Sequence, residues 1–225
     1  MEEIRRKTTL IIPALNEEGC IGKTIKEVPR DYVDEIIVVD GHSTDNTGQE
    51  ARNALGPNDQ FIEQKREKFG GAIYDGLDLA NGDIVIIMDA DGSQNPADIP
   101  KLLEKYSDHA LVLASRYAQG GRSDDDTLVR WFGNRLFTKL TNLAHRMHVT
   151  DSLYLFCAIS RGNFKKLGLQ SHDYGICIEF LVKAKRAGLS FVEVPTVERP
   201  RISGKSKVNA LRDGWKILRM IFHKY

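Results

Sequence analysis

The residues best placed to do chemistry lie in Ile84 to Gln94, IVIIMDADGSQ, where five apolar residues run into two aspartates one residue apart. An apolar run bounded by Gly and Asp reads as a buried strand of a parallel sheet, and such sheets bind ligands just beyond their strands' carboxyl ends. Asp89 and Asp91 sit at that exit. With the backbone turning after Gly92, their carboxylates can converge on one divalent cation and the phosphates it bridges. The alternative is a loop of solvated acids. Against it, two acids leaving so apolar a strand repel one another unless a cation relieves them. Asp40 closes a second apolar run and Arg116 follows a third, so both should join the pair on one rim.

Those side chains need a scaffold of alternating strands and helices. Thr8 to Ile12 is a β-branched strand closed by Pro13, and Asn16 offers a cap to a helix that runs to about Val28 before Pro29. A strand at Glu35 to Val39, a helix from about Thr44 to Leu55 and a short strand at Gln60 to Glu63 follow. The next helix carries Gly70, Gly71 and Gly76 and ends near Asn81. Glycine costs helix stability, which marks these as points of close approach to a strand or ligand. The Ile84 to Met88 strand leads to a helix from Pro96 to Tyr106 and a strand at Ala110 to Ala114. The pattern predicts an α/β fold, a doubly wound and mostly parallel sheet flanked by helices. Leu128, Phe132, Leu136, Leu140, Leu143 and Met147 recur at helical spacing. They predict a long helix packed on the sheet, with Arg130 and Asn134 facing the rim. A strand near Tyr154 to Ile159, a helix at Ile176 to Ala187, a strand at Phe191 to Val197 and a helix from Ala210 complete the chain.

At 225 residues and 41% hydrophobic, the chain suits one large domain, expected over 1–207, with a C-terminal helix over 208–225. No leader-length apolar core stands at the N-terminus, and no run approaches the roughly 20 apolar residues of a membrane span, so a cytosolic protein is expected. Cys20, Cys157 and Cys177 are far apart and lack CxxC spacing, which fits buried thiols better than a zinc site or disulfides. His145 and His148, three apart without a nearby Cys or acid, read as structural. The dinucleotide fingerprint GxGxxG does not follow the first strand, which counts against an NAD enzyme. The formal charge of +1 conceals an asymmetry: from Arg199 to Tyr225 eight Lys or Arg face only Asp213, giving +7 there and −6 before it. In the last helix Leu211, Trp215, Leu218 and Phe222 form one face, and Arg212, Lys216, Arg219 and His223 the next. That arrangement suits a helix lying on an anionic membrane surface. Nucleic acid is not expected as a partner, because the basic residues are not interleaved with stacking aromatics.

Six segments in order resemble the family-2 glycosyltransferases of GT-A fold, within them the dolichyl-phosphate mannose synthase group of polyprenyl-phosphate glycosyltransferases. They are IPALNEE at Ile12 to Glu18, IIVVDGHSTDNT at Ile36 to Thr47, GGAIYDGLDLANGD at Gly70 to Asp83, MDADGSQNP at Met88 to Pro96, ASRYAQGG at Ala114 to Gly121, and RPRISGKSK at Arg199 to Lys207. The resemblance implies a nucleotide-diphosphate sugar held near Pro13, Leu15, Glu17, Asp40 and Asp89, with Arg201 and Lys207 at its diphosphate. It implies Mg2+ or Mn2+ at Asp91, with Asp89 and Ser93 beside it. Arg116, Arg130 and Asn134 would meet the acceptor phosphate, which makes Asp89, Asp91, Arg116 and Arg130 the expected catalytic set. Two departures stand out: the usual acid pair after the second strand is Asp40-Gly41, and the common wording SGFR becomes YLFC, with Leu155 for Gly and Cys157 for Arg.

The expected reaction is inverting transfer of mannose, glucose or an N-acetylhexosamine to a polyprenyl phosphate. The protein would sit peripherally on the cytoplasmic face of a membrane, and a membrane-anchoring partner subunit is a further expectation. A sugar-hydroxyl acceptor is the nearest alternative. IVIIMDADGS also resembles the nucleophile motif of haloacid-dehalogenase-type phosphohydrolases, where Asp89 would attack phosphate. That motif belongs on a first strand, and here it is on the fourth. A non-catalytic binding subunit is the third alternative, hinted at by Gly41 and opposed by the intact aspartate pair.

Overall fold

The structure, a computed structural model, describes residues 5–202 and 210–223. Seven strands form one sheet: β1 (Thr8–Ala14), β2 (Glu35–Asp40), β3 (Gln60–Glu63), β4 (Ile84–Ile87), β5 (Ala110–Ser115), β7 (Cys157–Ser160) and β8 (Ser190–Pro195). Their order is β3-β2-β1-β4-β7-β5-β8, and β6 (Arg122–Ser123) pairs separately with β9 (Val197–Glu198). β7 runs antiparallel between β4 and β5; the other pairings in the large sheet are parallel. The strand order reverses direction between β1 and β4, which opens a crevice at their carboxyl ends.

Alternation along each strand sends apolar side chains to both faces, so helices must cover both. On one face Leu10, Ile12, Val38 and Ile86 pack with α1 (Ile21–Lys26), α2 (Thr47–Ala54) and α4 (Ile99–Glu104). On the other, Ile11, Val39, Ile87 and Leu113 meet α3 (Lys68–Leu79), α6 (Arg161–Lys166) and α7 (Ile176–Arg186). Gly76 of α3 lets that helix lie on β1: a Cβ there would stand 2.6 Å from Ile11 Cγ2. Gly70 donates its amide to the His172 carbonyl at 2.7 Å. These glycines therefore approach a strand and a loop.

Four expectations change. Asn16 does not cap α1: its φ is 50°, in the left-handed region, and its Oδ1 accepts from the Thr44 amide at 2.8 Å, so it pins the next loop while α1 begins at Ile21. The expected strand near Tyr154 is confined to Cys157–Ser160. α5 (Leu128–His145) is not a core helix packed on the sheet; only Thr138 and Thr141 are buried, and Leu128, Phe132 and Leu143 are 88%, 62% and 78% exposed. α8 (Ala210–Ile221) docks beside α5 and α7 through Ile217 and Ile221. Trp215 and Phe222, expected on one face, are both exposed, and Leu211 has its side chain outside the described residues.

Candidate active site

The carboxyl end of β4 turns immediately. Gly92 has φ +77°, a conformation that suits glycine, and the Ser93 amide donates to Asp91 Oδ1 at 2.9 Å. Gln94 clamps Asp89 twice: its Oε1 accepts from the Asp89 amide at 2.9 Å, and its Nε2 donates to Asp89 Oδ2 at 3.0 Å. The oxygen and the amide nitrogen of the Gln94 side chain are thereby both turned to orienting Asp89. The segment after β9 lies over this turn: the Arg199 amide donates to the Ser93 carbonyl at 2.8 Å, the Ile202 amide to the Asp91 carbonyl at 3.2 Å, and Ile202 covers Gly92. Arg201 then reaches Asp91, with Nη2 2.7 Å from Oδ2.

Two carboxylates in this pocket create a demand for positive charge. Burial, and next the charge of Asp91, push the Asp89 carboxyl well above the usual carboxylate range, while Arg201 acts in the opposite sense. Asp91 Oδ2 already draws a guanidinium, which shows that its carboxylate attracts positive charge. Among the described residues no three His, Cys, Asp or Glu side chains converge. A metal here would be held by Asp91 and Asp89, with Ser93 beside them and the rest of its shell from ligand phosphates and water.

On the far side of the crevice, β1 and β2 end in register, Ala14 opposite Asp40. Asp40 is buried and accepts from the Ser43 amide at 3.0 Å and hydroxyl at 2.5 Å, which shapes the loop after β2. Pro13 is buried in β1, Leu15 is exposed at its exit, and the Glu17 amide donates to Thr47 Oγ1 at 2.6 Å. Pro13, Leu15, Glu17 and Asp40 thus stand together around the exits of β1 and β2. A Cβ at Gly41 would lie 3.3 Å from the Ala14 carbonyl, so the missing second acid leaves a snug backbone contact between the two strand exits.

The basic residues divide. Arg116 is buried, its guanidinium fork held by Asp151 at 2.7 and 3.1 Å and by Glu198 at 3.3 Å, with its plane over the Tyr154 ring at 4.7 Å. Burial opposes its charge, yet Asp151 and Glu198 hold it protonated more firmly than a free arginine. Arg130 is exposed on α5 and pairs with Asp125 at 3.1 Å, away from Asp91. Asn134 donates to the Tyr117 hydroxyl at 3.1 Å. Lys207 lies outside the described residues. The site thus brings together Asp89, Asp91, Ser93 and Arg201, with Arg116 behind them and Arg130 and Asn134 on a neighbouring helix. Asp151 and Glu198 are the members that sequence reasoning missed. An acid just before β7 and another just before the basic segment were the available signals.

This combination, a GT-A scaffold with a twin-aspartate turn at the fourth strand, defines a class. Residues 9–168 match the sequence profile of glycosyl transferase family 2. The chain belongs to that family and is a glycosyltransferase. It is 32% identical to a UDP-N-acetylglucosamine–dolichyl-phosphate N-acetylglucosaminyltransferase of Methanococcus voltae, covering 83% of each chain. It is 29% identical to an undecaprenyl-phosphate mannosyltransferase of Micrococcus luteus, over 88% of this chain and 86% of that one. In fold it is similar to glucosyl-3-phosphoglycerate synthase of Mycobacterium tuberculosis, solved with Mn2+, UDP and phosphoglyceric acid. The TM-score is 0.73 at 21% identity, over 96% of this chain and 77% of that one.

Proposed function

We propose that the protein transfers a sugar, with inversion, from a nucleotide-diphosphate sugar to a polyprenyl phosphate. The donor would lie across the crevice, its nucleoside near Leu15, Glu17 and Asp40 and its diphosphate near Asp89, Asp91 and Arg201. A divalent cation bound at Asp91 would neutralise the negative charge that develops on the leaving diphosphate. Gln94 holds Asp89 in one orientation, and Arg201, paired with Asp91 at 2.7 Å, would set a cation beside the leaving group. An oxygen of the acceptor phosphate would attack the anomeric carbon as the bond to the diphosphate breaks, releasing the nucleoside diphosphate. A phosphate monoester, with a second pKa near ~6, is largely ionised at neutral pH, so no strong protein base is needed. Arg116, buried between two acids, fits a positioning role better than direct contact with the acceptor.

The observation that carries the lipid acceptor is the apolar row on α5. Leu128, Val129, Phe132, Leu136 and Leu143 are exposed, with Arg130 and Arg135 among them. α8 packs alongside and adds exposed Trp215, so the two helices offer one amphipathic surface. Lipid chains would lie against this surface, with Arg130 at the headgroup phosphate. No helix among the described residues is long and apolar enough to cross a membrane. Contact at the interface, alone or with an anchoring partner subunit, is the mode that remains on this reading.

A donor panel tests the proposal. Purified protein, Mg2+ or Mn2+ and a short polyprenyl phosphate are incubated with GDP-mannose, UDP-glucose or UDP-N-acetylglucosamine, and lipid-linked product is followed by mass spectrometry. One donor should yield glycolipid, with product lost in EDTA and on Asp91→Ala. Glycosylation of phosphoglyceric acid in place of the lipid would overturn the acceptor assignment.

A further inference from the structure

Tyr154 is 6% exposed, and among the described residues its hydroxyl has no hydrogen-bond partner. A buried hydroxyl carries a donor and acceptor capacity that native proteins satisfy, so an orphan of this kind calls for a partner that the described residues do not supply. The position of the residue says where that partner lies. β7 is antiparallel to both neighbours, with Cys157 opposite Ile87 of β4 and Leu113 of β5. The residues just before Cys157 therefore continue past the carboxyl ends of both strands. Tyr154 stands between the exits that bear Asp89 and Arg116. Its ring belongs to the same packed layer as Met88, Ala90 and Val194, with the Arg116 guanidinium over it at 4.7 Å, so the hydroxyl is held on a fixed ring.

The neighbouring charges select the ligand. Asp151 and Glu198 flank the Arg116 guanidinium that lies over the Tyr154 ring, and Asp89 stands at the neighbouring strand exit. Those acids already have partners: Asp89 has Gln94, Asp151 has Arg116, and Glu198 has Arg116 and Ser123. A guanidinium already matched by two carboxylates offers a phosphate no free positive charge, so this spot suits a neutral hydroxyl. Tyr154 also takes the place of Ser in the SGFR wording, which adds both reach and bulk at this point. We infer that the Tyr154 hydroxyl hydrogen-bonds a hydroxyl of the transferred sugar and helps to select the donor. This rests on the donor-binding part of the proposed function and names a residue for its sugar end.

Tyr154→Phe keeps the ring and removes only the hydroxyl. Titration calorimetry on the full chain with Mg2+ would compare a nucleoside diphosphate with its sugar conjugate, in wild type and variant. The expected result is an unchanged diphosphate affinity and about tenfold weaker binding of the conjugate, the effect of one lost hydrogen bond. A melting temperature no lower than wild type is expected too, since among the described residues the hydroxyl has no partner to lose. An equal ratio of the two affinities in wild type and variant overturns the inference. So does a fall in melting temperature together with weaker binding of both ligands, which would make Tyr154 a structural residue. Failure of wild type to bind any sugar nucleotide would instead sink the donor reading, and this inference with it.

Discussion

Asp89 sits where its own charge is unwelcome, inside the sheet's edge and beside a second carboxylate, and the sign of that effect can be measured. Its folded pKa is raised by burial first and by Asp91 next, so the folded chain binds the proton more tightly than the unfolded chain does. The stability this contributes is complete below about pH 4, the ordinary carboxylate value, and is lost as the pH rises through the raised folded value. Asp89→Asn removes the titration and keeps an oxygen for Gln94. In EDTA the variant should melt above wild type at pH 8, by roughly 2–4 °C for each kcal/mol recovered, and the difference should shrink toward pH 4. Thermal melts across that range check the sign; a gap that widens on acidification would refute it. Adding Mg2+ with a nucleoside diphosphate should stabilise wild type more than the variant. Arg116 supplies the complementary case. Arg116→Ala leaves Asp151 and Glu198 facing each other in a buried place, and the expected loss is about 3–5 kcal/mol by denaturant unfolding. A residue that merely touched the acceptor would cost activity with little stability. The aspartates were legible because an acid after an apolar run is a local signal. Arg116 was placed at the rim correctly, but its partners, Asp151 and Glu198, lie far along the chain and are joined to it only by β7 and β9.

At the scale of elements, the strands were the most readable part: β3 falls at the expected residues, β1, β2, β4, β5 and β8 differ by at most two, β7 starts three residues late, and the short β6 and β9 were not expected. An apolar strand buried on both faces leaves little freedom in where it begins or ends. Helices α5 and α8 show where periodicity stops being informative. A stripe at helical spacing records which residues share a face, and says nothing about whether a sheet or a bilayer covers that face. In α5 the buried face centres on Thr138 and Thr141, with Thr138 hydroxyl 3.0 Å from that of Ser152 and Phe137 and Leu140 packed beside them, while Leu128, Leu136 and Leu143 are exposed. In α8 Ile217 and Ile221 dock, and Trp215 is left outside. The exposed row has a direct test. Trp131→Ser with Phe132→Ser should reduce co-sedimentation with anionic vesicles severalfold while leaving the melting temperature within a few degrees, because both side chains are already exposed. Unchanged vesicle binding would mean that the face meets protein and not lipid.

At the scale of the molecule, the uneven charge takes on a direction. The residues after β9 carry a formal +7 and the remainder −6, and α8 brings part of that positive end against α5. An anionic surface would attract one end of the protein and repel the other, which orients the molecule before any apolar contact forms. Vesicle binding should therefore weaken steeply between low and physiological salt, as screening shortens to about 8 Å, with the residual set by the apolar row. The overall architecture was readable from the alternation of elements alone. Which faces of α5 and α8 are left exposed was not, because exposure is a property of the assembled chain.

β7 also bears on how the protein is made. The strands that carry Asp89 and Arg116 become neighbours only through residues 157–160, which leave the ribosome well after β5 is complete. Until then β4 has an apolar edge with no strand beside it, the kind of edge that joins other chains. The catalytic rim is thus a late product of translation, and whatever shields β4 in the nascent chain protects the future site as well.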